Sequence, residues 1–363
     1  MAARRHCLLP LIGMLIMLSG LNCGAADTAA FAQVLPGVKL EFPRDYGSHP
    51  EYGVEWWYLT GWLSTERHEQ LGFQVTFFRT RIAASQDNPS AFAARQLLIA
   101  HCAISDPAHG HLWQDQRIRR AGQGLAQAQS DDTKVWIDDW QLEHTDNAYR
   151  THIAAEDFAL QLVLRSTQAV MLNGVDGFSQ KGPATSSASY YYSQPQLQVS
   201  GTIERAAHAD AVTGSAWLDH EWSSQYLDPS VDGWDWIGLN FNDGGALMAF
   251  RMRDHQGKTY WAAGTLRDAH GQTHTLSADQ LELTARRQWR SPRTGVSYPV
   301  SWQVRVGEQT WVLEPLLDDQ ENDTRLSTGA IYWEGAVRVG AHGQNVGQGY
   351  LELTGYEKPL TLR

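Results

Sequence analysis

Cysteine is almost missing. Of three in 363 residues, Cys7 and Cys23 stand near the start, which leaves Cys102 alone in the rest of the chain. No disulfide can staple that remainder, so its stability must come from packing. Cys102 lies in the apolar run Leu98-Ile99-Ala100-His101-Cys102-Ala103-Ile104 and reads as a buried small side chain, not a nucleophile. Positive charge is also short, with 29 Lys and Arg against 40 Asp and Glu and a formal net charge of -11. Without a basic field for phosphate backbones, nucleic acid is excluded as a partner. Apolar runs of membrane-spanning length are lacking, which excludes a multi-span membrane protein, and no heptad or Gly-X-Y repeat points to a coiled coil or collagen. Nor is there a G-x-S-x-G, an H-E-x-x-H, a P-loop or a Cys/His metal spacing, so neither metal nor cofactor is expected.

What is there is aromatic: 15 Trp, 13 Tyr and 10 Phe in a chain that is 42% hydrophobic and 19% charged. That is a globular composition with enough apolar matter for a substantial core, and 363 residues suit two domains. The first 26 residues read as an export signal. Arg4 and Arg5 are basic, residues 8–21 are mainly apolar, and Gly24-Ala25-Ala26 offers small residues for cleavage. The expected location is therefore periplasmic or secreted. A retained anchor and a lipoprotein through Cys23 stay open, although Asn22 is a poor fit before a lipidated cysteine.

Beyond the signal, short β-branched and aromatic segments alternate with Gly, Asn, Asp and Pro. Strands are expected over 54–63, 70–81, 97–104, 134–143, 150–156, 158–166 and 196–203, and again over 235–240, 245–253, 259–267, 300–306, 309–316, 330–339 and 347–354. Helical periodicity is confined to 88–95 and 277–283. The chain is thus all-β, and this many strands suit two packed antiparallel β-barrel domains, 27–200 and 201–363.

The densest polar constellation is Trp217-Leu218-Asp219-His220-Glu221-Trp222, followed by Gly233-Trp234-Asp235-Trp236. On a strand, Asp219 and Glu221 share a face and His220 takes the other. Two carboxyls on one face beside indole rings tend to keep a proton, as a general acid must. The same residues also suit a structural role, with carboxylates bonded to Trp N–H groups. A second set is His49, Glu55, Trp57 and Tyr58, in which Glu55 is either functional or tied to an arginine such as Arg79. Ser189-Tyr190-Tyr191-Tyr192-Ser193 reads as phenols on an edge strand, with Tyr191 the candidate donor to a ligand. His101 and the Tyr332-Trp333-Glu334 segment complete the candidates, His101 being equally at home as a satisfied core side chain.

These stretches, with Ala100-His101-Cys102-Ala103-Ile104-Ser105-Asp106, Tyr332-Trp333-Glu334-Gly335 and Gly349-Tyr350-Leu351-Glu352-Leu353-Thr354-Gly355-Tyr356, resemble the AttH-type lipocalin-like family, which includes carotenoid 1,2-hydratases and proteins labelled secreted hydrolases. The resemblance runs from about His49 to Tyr356 and implies two lipocalin-like barrels. It also implies a hydrophobic isoprenoid or polyene ligand and hydration of an isolated alkene without a cofactor. On that implication Asp219 is the proton donor, and His220 or Glu221 orients it or the attacking water. The ligand-binding residues are then Glu55, Trp57, Tyr58, His101, Tyr191, Trp217, Trp222, Trp234, Asp235, Trp236, Tyr332 and Glu334. Exported relatives resemble partners of transporter permeases, so a non-catalytic carrier or accessory protein at the membrane periphery is the alternative. The hydrolase label finds no nucleophile motif here.

Overall fold

Alternating side chains in β-branched and aromatic windows leave these segments little choice but paired strands with both faces covered. The computed structural model describes residues 31–206 and 208–360, so the expected signal, residues 1–26, lies outside the described residues. Val54–Thr65 and Gln70–Arg81 form a hairpin with Glu55 opposite Arg79 and Tyr58 opposite Thr76. Around it grows a 13-stranded antiparallel sheet, in which Val54–Thr65 also pairs with His208–Gln225, and that strand with Ala188–Arg205. The sheet curls until its ends meet, where the Arg117 guanidinium donates to the carbonyls of Ile137 (3.3 Å) and Ala154 (3.0 Å). A 10-stranded antiparallel sheet follows, with Val231–Phe241 paired to Gln344–Leu353 and that strand to Ala330–Ala341. The fold is therefore all-β, two lipocalin-like barrels packed together. Among the described residues no helix is long and apolar enough to cross a membrane.

The change of sheet falls between Gln225 and Val231, whereas the expected division at 200/201 lies inside the strand Ala188–Arg205. Ala188–Arg205 and His208–Gln225 form one long hairpin, and its pairing with Val54–Thr65 keeps Asp219 in the first barrel. The helix expected over 88–95 is absent. Pro89 interrupts the segment, and the Asn88 and Ser90 side chains accept from the backbone N–H of Ser90 (3.0 Å) and Phe92 (3.1 Å), capturing it as turns. Over 277–283 only a short turn, Ala278–Gln280, is helical, and the strand Leu281–Arg290 takes over.

Alternation divides the apolar residues among three cores. Trp57, Leu59, Phe73, Trp140 and Trp222 fill the first barrel, and Ile237, Trp302, Trp333 and Leu351 fill the second. Tyr58, Trp62, Tyr191, Trp217, Trp236, Phe250 and Tyr350 pack between them. The barrels meet closely: a Cβ on Gly72 would lie 2.6 Å from that of Ala336, and Trp62 donates its indole N–H across the seam to the Gly349 carbonyl at 3.0 Å.

Candidate functional site

Even- and odd-numbered residues of Val54–Thr65 face different interiors. So do residues 216–223 of His208–Gln225, and this parity sorts the polar residues into two clusters. On the seam side, Tyr58, Tyr191, Asp219, Glu221, Trp234, Trp236, Tyr332 and Glu334 line a cavity of about 90 Å³ between the barrels. It opens into a groove of about 600 Å³ walled by apolar side chains such as Leu97, Ile99 and Ile118, with Phe78, Trp234, Tyr332 and Glu352 lining both. A small chamber holding a few carboxyls and phenols among aromatic rings, continuous with a wider and mostly apolar groove, suits a largely apolar molecule with one polar or reactive end.

Asp219 is 2% exposed and accepts three hydrogen bonds, from the Tyr191 hydroxyl at 2.5 Å, the Ser193 hydroxyl at 2.5 Å and the Trp217 indole at 2.6 Å. The Trp236 indole donates in turn to the Tyr191 oxygen at 2.9 Å. Burial outweighs these donors and, with the neighbouring Glu221 charge, pushes the Asp219 carboxyl up to about 7. Glu221 is held differently. The Lys181 ammonium lies 2.8 Å from it and the Ser189 hydroxyl donates to it. Burial raises the Glu221 carboxyl and lowers the Lys181 amine, each opposed by the other's charge. Lys181 also sits over the rings of Phe250 (4.0 Å), Tyr191 (4.8 Å) and Tyr226 (5.3 Å).

His220, Trp57 and Trp222 turn into the first barrel, so His220 makes no hydrogen bond to Asp219 and the expected orienting role falls to Tyr191, Ser193 and Trp217. Glu55 borders the cavity but is committed elsewhere: its carboxylate accepts from Arg79 at 2.7 Å and contacts the rings of His49 (2.8 Å) and His220 (2.9 Å). The structural alternative for Glu55, a pair with Arg79, is the one realised. Burial opposes its charge, but the Arg79 charge and the two imidazoles hold it well below the usual carboxylate range. His49 faces carboxylates through both ring nitrogens, Glu55 and, at 3.2 Å, Asp45, so both must carry hydrogen. These bonds overcome burial and raise its pKa. Trp222 stacks on this imidazolium at 3.7 Å and Trp57 on His220 at 4.6 Å. The His49, Glu55 and His220 ligand atoms lie close enough to one another for a metal ion. The donor set does not suit one, because Arg79 already occupies the carboxylate and His49 presents N–H groups.

Asp235 lies on the far face of its strand, bonded to Arg251 (2.5 Å), Arg253 (3.2 Å) and Tyr356 (2.8 Å). His101 reaches the groove but is fully satisfied. It contacts the Tyr332 hydroxyl at 3.1 Å and Ser327 at 2.9 Å, and burial pushes it down to about 3, so it is neutral. The tyrosine run is not on an edge, since Ala188–Arg205 pairs on both sides. Sequence reasoning missed Glu352, Ser193 and Lys181. For Glu352 a signal existed, because alternation places it with Tyr350.

Two lipocalin-like barrels with buried carboxyls at their seam define the class. The AttH-like family model matches residues 33–356, and the chain belongs to that family. The crystal structure of an AttH homologue from Nitrosomonas europaea is 51% identical, with a TM-score of 0.84 over 90% of this chain and 100% of that one. Kievitone hydratase from Nectria haematococca is 16% identical, with a TM-score of 0.67 over 91% of this chain and 97% of its own. CghA is 13% identical, with a TM-score of 0.52 over 92% and 96%. The last two likenesses concern the fold. No curated protein matches the sequence.

Proposed function

We propose that the chain, once exported, binds an apolar isoprenoid or polyene molecule in the seam groove and adds water to an alkene at its end, with Asp219 as general acid. The observation that carries this reading is a carboxyl buried beside aromatic rings whose proton is retained to about pH 7. Protonation of a trisubstituted alkene moves the Asp219 proton to the less substituted carbon and leaves a tertiary carbocation. Tyr58, Trp234 and Trp236 present π faces to it, an attraction worth about 2 kcal/mol when water is excluded. Water then attacks the cation and gives its extra proton back to the Asp219 carboxylate, so the acid is restored and the product has gained one water.

A carrier is the second reading. It is favoured by the engagement of Asp219, whose carboxyl oxygens already accept from Tyr191, Ser193 and Trp217, as those of a carboxylate that only shapes the pocket would. The two readings separate when the purified protein is incubated with acyclic carotenoids and prenylated compounds and the products are weighed by mass spectrometry. A gain of one water with the wild type and none with Asp219→Asn is the expected result. Binding that quenches Trp fluorescence without any change in mass supports the carrier, and retained hydration by a folded Asp219→Asn protein overturns the assignment of the acid.

A further inference from the structure

Besides Asp219 and Glu221, the second barrel contributes a pair of carboxyls of its own to the chamber. Glu334 and Glu352 face each other across neighbouring strands, in direct register. Glu334 is 2% exposed, lines the chamber, and neither of its oxygens has a hydrogen-bond partner. The buried Tyr58 hydroxyl, which lines the chamber and also lacks a well-aligned partner, lies close enough to Glu334 to favour its anion, but one phenol does not compensate two buried carboxyls. The adjacent Tyr332 hydroxyl accepts from Asn322 at 3.1 Å, meets His101 at 3.1 Å and also lies near enough to Glu334 to favour its anion.

Buried carboxyls are normally compensated by a cation or a set of donors. Here the nearby cations are spent elsewhere: Arg79 on Glu55 and the carbonyls of His49 and Tyr52, Lys181 on Glu221, and Lys358, on the groove wall, on Glu357 at 3.7 Å. The other titratable groups that face the pair are acidic or phenolic, namely Tyr58, Asp219, Glu221, Tyr226, Tyr332 and Tyr350. Two other rings that line the chamber, Tyr191 and Tyr226, already hold a positive charge, with the Lys181 ammonium 4.8 and 5.3 Å from their centres.

We propose that Glu334 and Glu352, with Tyr58 and the indoles of Trp234 and Trp236, form a cation-accepting site that takes the ammonium head of an organic amine whose apolar tail lies along the groove. The chamber's 90 Å³ limits the head to a few heavy atoms, about the space of three waters, and the groove accommodates the tail. The inference rests on the reading of the seam cleft as the ligand site and narrows its ligand to one with positive charge at the chamber end. An ammonium is also the stable counterpart of the carbocation that alkene protonation would create there. With no cation bound, burial and mutual repulsion keep the pair protonated, Glu352 being pushed up to about 7 by burial and Glu334 well above its ordinary value by burial and the Glu352 charge. Cation binding therefore displaces a proton, and affinity rises with pH through this window.

The test is titration of the full chain with hexyltrimethylammonium, hexanol and hexanoate, followed by Trp fluorescence, with calorimetry in two buffers of different ionisation enthalpy to count released protons. The ammonium is expected to bind about thirtyfold more tightly than hexanol at pH 8. Its affinity should fall about tenfold at pH 6 with one proton released per head bound, and the preference should vanish in Glu334→Gln/Glu352→Gln while hexanol binding persists. Persisting hexanol binding shows that the double variant is folded. Equal affinity for ammonium and hexanol, or a preference unchanged in the double variant, overturns the cation site and leaves an apolar-ligand cleft standing. If none of the three binds, the cation site falls together with the reading of the cleft.

Discussion

Replacing Asp219 by Asn removes a titrating group that the native state holds at about 7 and that an unfolded chain releases at 3.8. The sign follows from proton counting. Between those two values the folded protein keeps a proton that the unfolded chain has lost, so stability falls as pH rises through the window. With Asp219 buried at 2% exposure, the difference of about three pH units corresponds to about 4 kcal/mol, lost in full above pH 7 and absent below pH 4. Asn cannot ionise, so the variant gains about 4 kcal/mol on the wild type between pH 4 and pH 8, whatever its offset at pH 4. Groups away from Asp219, such as Glu55 and His49, cancel in the difference, whereas Glu221, Glu352 and Lys181, which feel the Asp219 charge, change its size but not its sign. Urea unfolding followed by Trp fluorescence at pH 4, 6 and 8 measures it directly. A difference between variant and wild type that stays constant over this range refutes the account of Asp219 as a carboxyl kept protonated by burial, and the general-acid assignment goes with it.

Two further substitutions probe the frame around the site. Arg79→Met strands the Glu55 carboxylate inside the first barrel and should cost about 3–5 kcal/mol at pH 7, partly recovered in Arg79→Met/Glu55→Gln; a loss under about 1 kcal/mol in urea unfolding contradicts the buried pair. Gly72→Ala places a methyl group 2.6 Å from Ala336 Cβ and 2.7 Å from the Tyr350 hydroxyl. The barrels must separate to admit it, so a destabilisation of about 1–3 kcal/mol is expected, and an unchanged urea midpoint would show that the seam is looser than the contacts indicate.

How far the sequence could be read depends on what each feature is made of. Strand parity is local, and it was enough to separate Asp219 and Glu221 from His220 and to set Glu55 with Trp57 against Tyr58. Parity does not say which face enters a barrel and which meets a neighbour, because in this molecule both faces of Val54–Thr65 and of residues 216–223 are buried. The usual cue, polar residues outward, fails at such strands. Hence His220 and Trp222 read as companions of Asp219 and Trp57 as a ligand contact, although all three serve an ion network in the first barrel. The end of the first sheet is hard to read for a related reason. A hairpin of two 18-residue strands has no break in pattern to mark where its barrel ends, and the change of sheet comes only in the loop after Gln225.

Lys181 shows where legibility stops. Its neighbours in sequence, Gln180 and Gly182-Pro183, form an unremarkable polar turn, and a lysine there is normally solvated. Its burial is set by Glu221 from one strand, Tyr191 from a second and Phe250 from the other barrel, all brought in by tertiary packing. The consequence reaches the chemistry. Glu221 is compensated because Lys181 is there, whereas Glu334 and Glu352 are left without a cation, so the two walls of one chamber carry unequal demand for positive charge. That inequality distinguishes the Asp219 wall, suited to donating a proton, from the Glu334 wall, suited to stabilising the charge that the proton creates. No single strand encodes it; it exists only where the two barrels meet.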